Sequence, residues 1–221
     1  MTLRYFSITL KETKWYLWGD NMKKGELTRR NIIQKSATIF NIKGYMTTTM
    51  NDIIQETNIQ KGGIYRHFES KEQLMVESFQ YSADTMRTHF VNSVSQQTNV
   101  PAKLIAFIEA FSQLSEGKPL EGGCPLFNAA IEMDDLDGNV LLPLVNEAMD
   151  TMIDWLKGII EEGISNQELK QSVQPYETAV YIVSTLEGGL VLERLKKDGQ
   201  LSNMIVNNLK QYVSMISNAR Q

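Results

Sequence analysis

Residues 48–68, TTMNDIIQETNIQKGGIYRHF, constrain the fold more than any other stretch. They spell two short helices joined by a tight turn. Thr48 or Thr49 caps the first, a hydroxyl taking one of the orphan backbone N–H groups. Met50, Ile53, Ile54 and Thr57 then recur every three or four residues and give a single buried stripe. Asn58 suits a left-handed C-cap, so the chain turns sharply there. The second helix, about 60–67, offers Gln60, Lys61, Gly62, Gly63, Tyr65 and His67 on a mostly polar surface. Only Ile64 and Phe68 anchor it inward. A helix so short and so polar, set on an apolar partner, presents side chains to another molecule.

Helix-turn-helix DNA readers have this construction, the second helix entering the major groove with its N-terminal residues at base edges. Gln60 can pair bidentately with adenine, and Lys61 can reach guanine O6 and N7. Gly62 and Gly63 each cost about 1 kcal/mol of helix stability relative to alanine. Close approach of the backbone to DNA would justify the pair. Arg29 and Arg30 fall in the first turn of the preceding helix, at the positive end of its dipole. A phosphate partner would explain them. Lys71, at the head of the next helix, is a further phosphate candidate, and Thr48 and Thr49 lie on the same DNA-facing side. Tyr45 reads as core packing, its hydroxyl within reach of a phosphate.

The resemblance then becomes specific. A helix with Ile33, Ala37 and Phe40 is followed by Gly44-Tyr45, by Thr48-Thr49-Met50 before Ile53, and by KGGIYRHFESKEQL at 61–74. In this order the features resemble the DNA-binding domain of the TetR family of transcriptional regulators, over residues 28–79. The resemblance implies that Tyr65 and His67 hold phosphates. Many relatives carry a small hydroxyl residue where Gly63 stands, and this chain departs from them there.

The formal charge of −4 hides an asymmetry. Residues 22–71 hold nine basic and four acidic side chains, residues 72–221 ten basic and twenty acidic. A basic head on an acidic body confines the phosphate-facing part to one end. No run reaches the roughly 18 apolar residues of a membrane span, and the interrupted N-terminus does not read as a signal peptide. Cys124, the one cysteine, excludes an internal disulfide and fits a reducing cytoplasm. It has no neighbouring cation to activate it as a redox switch. The two histidines and one cysteine are too scattered for a metal site, and no cofactor is implied. The acidic run at 134–138 lacks the spacing of a calcium loop and reads as a solvated turn. No nucleophile–base set, carboxylate pair or phosphate loop supports an enzyme.

The expected fold is all-α, a three-helix helix-turn-helix domain at 22–70 followed by a larger helical effector-binding and dimerisation domain at 71–221. Residues 1–21 read as a non-native or disordered extension ahead of Met22, the alternative being an arm that touches DNA. The helices expected after the head span about 70–95, 102–115, 126–133, 140–166, 175–197 and 202–218. Ser70 and Gln73 form a capping box for the first of these, and Gly188-Gly189 calls for close approach of a neighbouring helix. By resemblance, the last two helices form a four-helix dimer interface. Bulky, adaptable side chains on inward stripes would line an apolar pocket: Phe79, Met86, Phe107, Phe111, Phe127, Met149, Met152, Trp155 and Tyr181. The chain thus reads as a homodimeric, cytoplasmic repressor that binds a near-palindromic double-stranded operator and is released by a small lipophilic effector. The competing reading is an architectural DNA-binding protein with no ligand.

Overall fold

The computed structural model describes residues 23–133 and 139–218; the N-terminal extension and the acidic turn lie outside the described residues. Helices run in the order α1 (Lys24–Lys43), α2 (Met50–Thr57), α3 (Lys61–Ile64), α4 (Lys71–Ser95), α5 (Val100–Ser112), α6 (Pro125–Met133), α7 (Leu142–Ser165), α8 (Pro175–Lys196) and α9 (Gln200–Ile216). Among the described residues there is no strand, only an isolated bridge between Leu169 and Ser217. None of these helices is long and apolar enough to cross a membrane. The contacts divide the chain into two compact units. Among the described residues, one takes 23–85 with 120–133 and 139–148, the other 86–119 with 149–218.

In the first unit α1 buries Ile32, Ile33, Ser36, Ala37 and Phe40, the three- and four-residue rhythm of a one-faced helix. The hydrophobic rhythm and the Gly44 stop predict a helix over about 28–43. It begins instead at Lys24, a turn earlier, because the Glu26 carboxylate accepts the Lys23 N–H at 2.9 Å and satisfies an end that has no hydroxyl cap. Tyr45, fully buried, stacks on Phe40 at 5.5 Å between centroids and meets the edge of Phe79 at 6.1 Å. That burial pushes its phenol well above the ordinary tyrosine range. The hydroxyl is therefore a protonated core group rather than a surface phosphate ligand. For α4, the Ser70 hydroxyl accepts the Gln73 N–H at 3.1 Å, and the Gln73 carbonyl reaches back to the Glu69 N–H at 2.6 Å, one residue beyond a standard box.

Segment 120–133 belongs to the same unit through a polar lock on the end of α1. The buried Asn41 amide donates to the carbonyls of Glu121 at 2.7 Å and Gly123 at 3.1 Å. Asn128 returns bonds to Asn41 Oδ1 at 2.9 Å and to Gly122 O at 2.8 Å. Gly122 adopts φ +101°, and a Cβ there would stand 2.7 Å from the Asn41 carbonyl oxygen.

The second unit is built on α5, α8 and α9. The anticipated close approach is real at one glycine of the pair: a Cβ on Gly189 would stand 2.6 Å from Ile205 Cδ1 of α9, whereas one on Gly188 would meet open space. Asn99 caps α5 by accepting the Ala102 N–H at 2.9 Å.

Two glycines give opposite expectations. Gly122→Ala should lower unfolding stability by more than about 1–2 kcal/mol, since it adds left-handed strain to a clash with backbone. Gly158→Ala, in the interior of α7 with nothing within 4 Å of the new Cβ, should raise it by about 0.5–1 kcal/mol. Urea denaturation of the two variants measures both.

Candidate nucleic-acid interface

Thr49, not Thr48, caps α2. Its hydroxyl accepts the Asp52 N–H at 3.2 Å and the Asp52 carboxylate accepts the Thr49 N–H at 2.8 Å, a reciprocal box. Lys43 closes onto Asp52 at 2.5 Å from the last turn of α1. The Lys43 ammonium, then the Thr49 amide and hydroxyl, hold the Asp52 carboxyl far below its ordinary range. Thr48 is fully buried, its hydroxyl donating to the Gly44 carbonyl at 2.6 Å. At the other end of α2, Lys35 Nζ donates to the Glu56 carbonyl at 2.7 Å, placing a cation on the negative end of the dipole. Asn58 is left-handed at φ 56°, ψ 27°, as its position implied.

The chain re-enters helix at once, with Gln60 as extended N-cap. α3 is four residues long, shorter than the 60–67 expected, since two of the four are glycine. Two backbone bonds to the Ile64 carbonyl, from His67 at 2.9 Å and Phe68 at 3.2 Å, carry the turn onward. Ile64 and Phe68 are each 1% exposed and fix the element from beneath. Gln60, Lys61, Gly62, Tyr65 and Arg66 are all exposed on it. Lys61 Nζ lies 5.8 Å from the Tyr65 ring centroid, so cation and phenol share one patch. Arg66 was not singled out from the sequence, although KGGIYRHF contains it. An exposed cation beside Tyr65 is a phosphate candidate on the same footing.

The two glycines differ. Gly62 faces open space, whereas a Cβ on Gly63 would stand 2.7 Å from Ile59 Cγ2. Packing on Ile59 thus accounts for Gly63 within the protein. His67 is half-buried, its ring 6.5 Å from Phe68. Arg29 forks onto the Glu77 carboxylate at 2.6 Å and lies 4.7 Å over the Phe68 ring. Because α1 begins at Lys24, Arg29 and Arg30 lie in its second turn, past the positive end of the dipole where the sequence had placed them, and Glu77 is the partner of Arg29. Arg30 is half-buried. Lys71 opens α4 and, with Tyr45, Met46 and Met75, lines a recess of about 220 Å³.

The effector candidates divide between the units. Phe79 and Phe127 belong to the first; Met86, Phe107, Phe111, Met149, Met152, Trp155 and Tyr181 belong to the second. There Phe107 meets Phe111 at 6.0 Å and Trp155 at 5.9 Å, with Phe90 inserted at 5.1 and 5.6 Å from Phe107 and Phe111. Phe107 is the hub of this cluster, and Phe90, not among the expected lining residues, is part of it. Tyr181 is 48% exposed and packs edge-on against Tyr212 at 4.9 Å, on the rim of an open groove of about 510 Å³. Among the described residues no His, Cys, Asp and Glu side chains group in a way that could hold a metal ion.

The Asp52 contacts carry a signed consequence. A carboxyl depressed in the folded state contributes stability above its unfolded value near pH 4, and loses it as pH falls through the lower folded value. Lys43→Gln should therefore move the Asp52 titration up toward the ordinary carboxylate range, read by carbon-detected NMR. Thr49→Ala should cost about 1 kcal/mol, typical of a lost N-cap.

The chain matches two family models, "Bacterial regulatory proteins, tetR family" over residues 32–77 and "Tetracyclin repressor-like, C-terminal domain" over residues 101–209. A TetR transcriptional regulator from Chloroflexus aurantiacus is 34% identical in sequence, with a TM-score of 0.85, over 90% of this chain and 100% of that one. A TetR-family regulator from Cytophaga hutchinsonii is 27% identical at TM-score 0.82, over 90% and 99%. The transcriptional repressor DhaR of Mycobacterium sp. strain GP1 is 24% identical over 77% of this chain and 84% of its own. The first match falls on the capped α2 and the exposed α3, the second on the helices that follow. The chain belongs to the TetR family, DNA-binding transcriptional regulators and not enzymes.

Proposed function

We propose that this regulator is a homodimeric repressor, working in the cytoplasm on a near-palindromic operator and released from it by a small lipophilic effector. The observation that carries the DNA-reading part is α3 itself: Gln60, Lys61, Tyr65 and Arg66 stand exposed while Ile64 and Phe68 are buried. Gln60 and Lys61 meet base edges; Tyr65, Arg66, His67 and Lys71 meet phosphates. Of the remaining candidates, Gly62 lets DNA approach the α3 backbone. Arg29, Thr48, Thr49 and Gly63 hold the reading surface in shape, and Arg30 remains a phosphate candidate. Dimerisation through α8 and α9 is supported by their exposed apolar side chains, among them Tyr176, Leu192, Leu195, Met204 and Met215. Two heads then read half-sites about 34–36 Å apart or a multiple of that. Repression is supported by the description of DhaR as a repressor.

Alanine at Gln60 or Lys61 should cost about 1–3 kcal/mol and relax preference at one operator position. Alanine at Tyr65, Arg66, His67 or Lys71 should weaken binding to all duplexes alike. Titration against a randomised duplex pool separates the two patterns, and sequence-blind losses at Gln60 and Lys61 would remove their assignment to bases.

The effector acts on the Met- and aromatic-rich core around Phe107, Phe111, Met152 and Trp155. Those rings lie against one another, so a ligand must part them, and its binding energy is thereby coupled to conformation. A compound that favours the DNA-free state about 100-fold supplies roughly 2.7 kcal/mol of coupling. A panel of lipophilic compounds scored by thermal shift and by DNA release should give hits in both. A panel silent in both would favour the ligand-free architectural reading, which the same ring-on-ring packing supports.

A further inference from the structure

We infer that Glu132, on α6 and far outside the helix-turn-helix in sequence, is a positioning residue for operator binding, its carboxylate setting the turn from which α2 and α3 continue. The inference rests on the DNA-reading function of that element. Glu132 Oε1 accepts the Tyr45 N–H at 3.1 Å, and Oε2 accepts the Met46 N–H at 3.0 Å. Two successive amides converging on one carboxylate make a small anion cradle, here filled by the protein's own side chain. Gly44 is fitted to it: at φ +99° a Cβ would stand 2.9 Å from both carboxylate oxygens.

The turn is continuous with the reader. Gly44 O receives the Thr48 N–H at 3.1 Å and the Thr48 hydroxyl at 2.6 Å, and Thr49 immediately caps α2. α6 is itself anchored to the end of α1, because Asn128 lies one helical turn before Glu132 on the same face and bonds Asn41. Met46 is 50% exposed, so water would otherwise satisfy its amide. The bond from Glu132 therefore adds orientation rather than removing a buried orphan.

Charge gives this inference a sign that a passive carboxylate would not share. Removing a negative group near a DNA-binding face strengthens attraction to phosphates, so on electrostatics alone Glu132→Gln binds DNA more tightly. As a positioning residue, Glu132→Gln binds more weakly, since its amide NH2 confronts one of the two N–H donors. Glu132→Ala loses both bonds.

The test uses full-length protein and the duplex that wild type enriches from a randomised pool. Expected are a loss of affinity of about tenfold for each variant, equivalent to about 1.4 kcal/mol, and faster amide exchange at Tyr45 and Met46. Exchange in the core of α5 should be unchanged. Equal or tighter binding by folded Glu132→Gln overturns the inference. So does solvent-rate exchange of the Met46 amide in wild type, a measurement that holds even if both variants unfold. Enrichment of no duplex by wild type would instead undo the DNA-reading function on which the inference rests.

Discussion

Everything presented by α3 depends on how the chain is held between Phe40 and Thr49. Tyr45 anchors that turn from the inside, its ring stacked on Phe40 and edge-on to Phe79. Its amide, with that of Met46, is held by Glu132. The ring supplies burial, which is non-directional. The carboxylate supplies direction. Together they place Thr49 where its hydroxyl and Asp52 can close the cap on α2. Without a fixed start, an eight-residue α2 followed by a four-residue α3 has too few helical bonds to hold itself together.

α3 is accordingly a presented surface rather than an autonomous helix. Its two glycines weaken it by about 2 kcal/mol relative to alanine. Ile64 and Phe68 then do the holding, and Phe68 is covered in turn by the Arg29 guanidinium that Glu77 pins in place. The positive charge counted in the head is thus partly internal. Arg29 and Lys43 serve ion pairs and Lys35 serves the end of α2. Lys61 and Arg66 remain exposed on the reading surface.

The local parts of this arrangement were legible in the sequence because they depend on neighbours a few residues apart. The Asn58 turn, the Ile53–Thr57 stripe, and Ile64 and Phe68 as anchors all follow from spacing and backbone conformation. α1 began earlier than expected because Glu26 stands in for a hydroxyl cap, a substitution that hydrophobic periodicity does not register. Other features depend on partners far away in the chain. The partner of Arg29, Glu77, lies 48 positions on and is invisible to local spacing. Gly63 is a separate case: its neighbour Ile59 is only four positions away, but packs against it only once the Asn58 turn has formed. Asn41, Asn128 and Glu132 carry no local pattern; the bonds that join α1 and its turn to segment 120–133 span 80 positions or more.

The size of α3 also bears on assembly. With Gln60 and Lys61 at base edges, one head draws on two contacts of about 1–3 kcal/mol each, or roughly 2–6 kcal/mol of discrimination. Specific DNA binders exceed their own non-specific binding by about 4–10 kcal/mol, and need to, against a genome of competing sites. One head reaches only the lower part of that range. Two heads on a near-palindrome cover it, provided a rigid connection spares the second head most of the entropy of an independent encounter. If Gln60 and Lys61 read bases as proposed, the shortness of the reading helix therefore argues for a second copy. The apolar side chains exposed on α8 and α9, from Tyr176 to Met215, are the surface whose burial would provide it.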